Sequence, residues 1–71
     1  MIHSRPQTPL EYYFEMMDEA RRFKKAIGVE NPSEESILKL AIGTAEDRGK
    51  LSVFMAGKVH LKNHPEDISL I

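Results

Sequence analysis

Two nearly matching helix-start signals constrain this chain more than any other feature. Thr8-Pro9-Leu10-Glu11 and Asn31-Pro32-Ser33-Glu34 each set a capping residue, a proline and an acid in the same order. The capping side chain can accept from a backbone N–H that a helix leaves unpaired, and the acid can reach back to the cap. Proline suits the first helical position because its missing N–H would have no partner there. Between the two signals stands Gly28, which can take the positive φ of a helix stop. The first helix therefore runs from about residue 9 to about residue 27. Its charges agree: Glu11, Glu15, Asp18 and Glu19 come first and Arg21, Arg22, Lys24 and Lys25 last, as the helix dipole favours. The short connection Gly28–Glu30 predicts that a second helix packs antiparallel to the first.

The second helix carries Ile37, Leu38, Ala41 and Ala45 on one side. Continuing the helical rotation past Gly49 adds Leu51, Ser52, Met55, Ala56 and Val59 to that face. The preserved phase predicts one helix over 33–57, bent or broken at Gly49. The fold class is then all-α, a helical hairpin of 9–27 and 33–57 followed by a short C-terminal segment. The alternative is α+β, with a small hairpin at 51–61. There Leu51, Val53 and Met55 alternate, Ala56-Gly57-Lys58 turns, and Val59 and Leu61 return. An isolated two-stranded hairpin is marginal, so the helix is preferred. Residues 1–7 lack any period and read as a flexible arm, 8–61 as a single helical domain, and 62–71 as a turn and tail.

A chain of 71 residues has room for one small core, burying about 60% of its unfolded surface. It holds no cysteine, which excludes disulfides, thiolate zinc sites and cysteine nucleophiles. Ten basic and eleven acidic residues, balanced in both halves, do not suit a polyanion binder. No apolar run reaches membrane length and no signal core follows Met1, so a cytoplasmic protein without membrane contact is expected.

The first helix is apolar over an unusually wide arc. Leu10, Tyr13, Met16, Met17, Ala20, Phe23 and Ile27 form its centre, flanked by Tyr12 and Phe14. Together they span about 200°, where a surface helix needs little more than about 100°. One companion helix cannot cover that arc, so either the C-terminal segment folds back over it or, as preferred here, part of it meets another polypeptide, in a homodimer or with a foreign partner. Tyr12, Tyr13, Phe14, Met16 and Met17 are the candidate protein-binding residues, being the aromatic and methionine types that interfaces favour. Arg48 joins them as a candidate for an ion pair across an interface with Asp18 or Glu19, although the preferred reading is that its stem covers apolar area and its head reaches water. The companion face is built of small residues, Ala41, Thr44, Ala45, Ser52 and Ala56, with Ile37 and Met55.

The function expected is therefore a small non-enzymatic regulatory or adaptor protein that binds another protein through this face. The alternative is a nucleic-acid-binding regulator using Arg21, Arg22, Lys24 and Lys25, with Phe23 between them read as core. A helix-turn-helix frame on Ala41, Ala45, Leu51 and Phe54 fits poorly: the position normally glycine holds Ala45, and Glu46-Asp47 oppose phosphate. His60 and His64 would share a helix face near Glu66 and Asp67, but Pro65 disfavours helix there and no third metal ligand is fixed. No glycine-rich phosphate loop or nucleophile motif is present, so no catalytic residue, metal site or cofactor is assigned. The closing Ser69-Leu70-Ile71 would suit a carboxylate-capturing pocket, though packing on the first helix is the simpler reading.

Overall fold

A computed structural model describes residues 7–70, and the side chains of residues 7–67. The expected arm lies outside the described residues apart from Gln7, as do Ile71 and the side chains of the closing triplet. The described residues form three α-helices, α1 (Pro9–Ala26), α2 (Glu34–Asp47) and α3 (Leu51–Asn63), and a 3₁₀ helix over Pro65–Leu70. The fold is all-helical, and residues 51–61 lie within α3 in place of the β-hairpin alternative.

Helix α1 starts and stops where its sequence says. Thr8 Oγ1 accepts from the Glu11 N–H at 3.2 Å, and Glu11 Oε1 accepts from the Thr8 N–H at 3.0 Å. At its end Gly28 takes a φ of 102°, while the N–H groups of Gly28 and Val29 donate back to Lys25 and Lys24. This doubly bonded reversal pairs two carbonyls that the helix end would leave bare. The second helix starts at Glu34, within a residue of the expected 33, but its cap is not Asn31. Ser33 is the cap of α2, accepting from the Ser36 N–H at 3.1 Å.

The predicted long second helix is broken, not bent. Gly49 takes a φ of 71°, and the N–H groups of Gly49 and Lys50 donate to Glu46 and Ala45, the same reversal that ends α1. A left-handed residue ends the helical rotation, so the phase that seemed to run through Gly49 is reset. Ile37, Ala41 and Ala45 point into the core as expected, but α3 turns a different face inward. Phe54 and Gly57 are buried, whereas Ser52, Met55, Ala56 and Val59 are exposed.

Helix α1 is the centre of the packing, in contact with both α2 and α3, which touch each other less. The core combines Tyr12, Met16, Met17 and Ala20 of α1 with Ile37, Ala41 and Ala45 of α2 and Phe54 of α3. In the middle of α3, Gly57 is not the end of a helix, as the predicted 33–57 range had it. It lies against the start of α1, where a Cβ would overlap the Pro9 carbonyl oxygen and come within 2.8 Å of Tyr13 Cβ. Glycine is what lets these two backbones meet.

Candidate functional site

The wide arc of α1 is largely covered by the chain itself, because two helices lie on it where one was expected. Tyr12, Met16 and Met17 are 4%, 1% and 6% exposed, so these three candidate docking residues are core residues instead. Arg48 is engaged within the chain. Its Nη1 and Nη2 donate to the two carboxylate oxygens of Glu19 at 3.3 and 2.9 Å, and Nη1 lies 3.7 Å from the Met16 sulfur. The bond to Glu19 raises the guanidinium's pKa further. The pair ties the α2–α3 turn to the middle of α1.

Tyr13 and Phe14 remain half-buried and meet edge to face, ring centres 5.5 Å apart at 70°. Tyr13 also leans on Phe54 at 5.0 Å. They open onto a groove of about 860 Å³ that follows α1 from Gln7 to Arg21. Its apolar lining is Tyr13, Phe14, Met17 and Leu61 of α3. Its charged lining is Glu11, Glu15, Asp18 and Glu34 against one base, Arg21. Several of these acids are already engaged: Glu15 accepts from Gln7 at 2.6 Å, Asp18 pairs with Arg22 at 3.1 Å, and Glu34 pairs with Arg21 at 3.3 Å. All three contacts are at the surface. Burial, followed by the nearby Glu34 carboxylate, pushes the Tyr13 phenol above its ordinary pKa.

The sequence placed Tyr13, Phe14 and the largely buried Met17 in this site but missed Leu61 and Glu34, which come from other helices. The Asn31–Glu34 start signal was the one hint that Glu34 would stand beside the second half of α1.

The basic cluster stands at the surface of the second half of α1. Arg21 and Arg22 are tied to Glu34 and Asp18, while Lys24 and Lys25 have no ion pair among the described residues. Phe23, read as core, is 53% exposed, with Ile27 at 62% and Val29 at 38%. It lies at the edge of a smaller hollow of about 190 Å³ beside Leu40 and Thr44, because little packs over the last turn of α1. The turn between α2 and α3 falls at Gly49, not at Ala45, and the exposed side of α3 offers Ser52, Met55, Ala56 and Val59.

The two C-terminal histidines do share a face, with ring centres 4.8 Å apart. His60 contacts Asp67 at 2.7 Å and His64 contacts Glu66 at 3.5 Å, which ties the 3₁₀ helix to α3. Among the described residues no three His, Asp or Glu side chains converge on one point. No described helix is long and apolar enough to cross a membrane.

Comparison with known proteins adds no relative: no family model, curated protein or solved structure matches this chain.

Proposed function

We propose that this chain is a small non-enzymatic regulatory or adaptor protein that docks another polypeptide in the groove beside α1. The observation that carries this reading is the groove itself. It is large for so small a molecule, within the roughly 300–1,000 Å³ of binding pockets, and two aromatic rings open onto it. Half-buried aromatic side chains beside a ring of charge are the usual makings of a binding hot spot. The homodimer expected from the wide apolar arc loses most of its basis, since Tyr12, Met16 and Met17 are covered within one copy.

The test is affinity capture from cells of the source organism with the wild-type chain and with Phe14→Arg, compared by quantitative mass spectrometry. Circular dichroism first establishes that the variant keeps its helices. A protein recovered with the wild type and lost with the variant supports the groove as the docking face. Identical recoveries would remove it. Light scattering on the same samples reads whether the partner is a second copy.

A further inference from the structure

The sign and length of the groove narrow what it accepts. Four carboxylates and one guanidinium line it, on a molecule whose whole formal charge is −1. Its acids come from both α1 and α2, its apolar lining from α1 and α3, and it follows the start and middle of α1 over about 20 Å. A groove of this kind suits a helix that lays one apolar stripe against it and carries cations on the flanks. The acids that pair with Arg21 and Arg22 do so at the surface, so an incoming cation can share them.

We propose that the groove takes a basic amphipathic helix of a partner protein. Its apolar side chains lie over Tyr13, Phe14 and Leu61, and its lysines or arginines face Glu15, Asp18 and Glu34. This rests on the reading of the groove as a docking face.

The test uses the full isotope-labelled chain and three synthetic peptides of about 18 residues, long enough to form helix on the groove. One sets leucine and lysine at amphipathic helical spacing, one replaces lysine by glutamate, and one shuffles the lysine peptide to destroy its period. The lysine peptide should shift the backbone resonances of Tyr13, Phe14 and Leu61, and bind at least about tenfold tighter than the glutamate peptide at low salt. That preference should shrink severalfold between about 0.05 and about 0.5 M salt. Glu15→Lys combined with Asp18→Lys should abolish it, and Phe14→Ala should weaken both peptides. Equal affinity of the two amphipathic peptides, with shifts in the groove, overturns the charge preference and leaves the docking face standing. No groove shifts with any peptide overturns both. Equal binding of the shuffled peptide reduces the effect to diffuse attraction and overturns the helix. Groove resonances that move with protein concentration alone make a second copy the occupant, which also overturns the proposal.

Discussion

Tyr12 and Tyr13 are neighbours in sequence that meet opposite conditions. The Tyr12 hydroxyl is buried and makes no hydrogen bond of good geometry among the described residues, although the Arg48 guanidinium stands close enough to interact with it and Lys50 Nζ lies 5.4 Å from the ring centre. An unpaired buried hydroxyl costs about 1–3 kcal/mol, so Tyr12→Phe should leave stability unchanged or raise it by about 1 kcal/mol. Urea unfolding checks this, and a clear loss would mean the hydroxyl has a partner after all. Tyr13 offers a pH signature. Its folded-state pKa is raised by burial and then by Glu34, so the folded chain holds that proton more tightly than the unfolded one. The linked stability is therefore complete below the ordinary tyrosine pKa of about 10. It is lost as pH climbs from there through the raised value, because the unfolded chain ionises first. Tyr13→Phe should lower the alkaline loss measured between about pH 9 and about pH 11 relative to wild type. A phenylalanine variant with the wild-type slope would show that the phenol is not shielded.

At the level of elements, the glycines separate by what surrounds them. Gly43 lies inside α2 with open space where a Cβ would stand, so Gly43→Ala should stabilise by about 1 kcal/mol through helix propensity alone. Gly57 also lies inside a helix, and the same gain is available there. Against it stands overlap with the Pro9 carbonyl, which is backbone and cannot swing away. Overpacking of that kind costs about 1–3 kcal/mol or more, so Gly57→Ala should destabilise despite the propensity. Thermal melts of the two variants should move in opposite directions, and movement in the same direction would refute the α1–α3 contact. These positions also show what the sequence could convey. Caps and stops are local, set by hydrogen bonds within a few residues, so the limits of α1 were legible from Thr8, Glu11 and Gly28. Gly49 was legible as a possible break, but its force was not, because the pattern beyond it happened to stay in phase. Gly57 was unreadable, since only the packing of two distant helices reveals why no side chain fits.

For the whole molecule, the question is how so few residues hold a fold without disulfides. The answer turns on α3. Its outward side, with Met55 and Val59, is exposed, and it reaches the centre through Phe54, whose ring is fully buried against residues of α1 and α2. This also explains why the candidate site was half legible. The apolar excess of α1 was plain in the sequence, but the break at Gly49 supplied a second covering helix, which took Tyr12, Met16 and Met17 inside. What stayed open is the last turn of α1, with Phe23 and Ile27, and the groove that α2 and α3 leave uncovered, bounded by Glu34 of one and Leu61 of the other. A domain of this size has a total stability of about 4–10 kcal/mol. Removing a buried phenylalanine ring costs about 3–5 kcal/mol, so Phe54→Ala should take away about half of that stability and melt far below wild type. Phe54→Leu fills more of the same space and should keep a cooperative melt at lower temperature. The decisive measurement is circular dichroism at the helix band on heating. If Phe54→Ala melts as wild type does, α3 is not anchored by that ring, and with it falls the wall that Leu61 gives the groove.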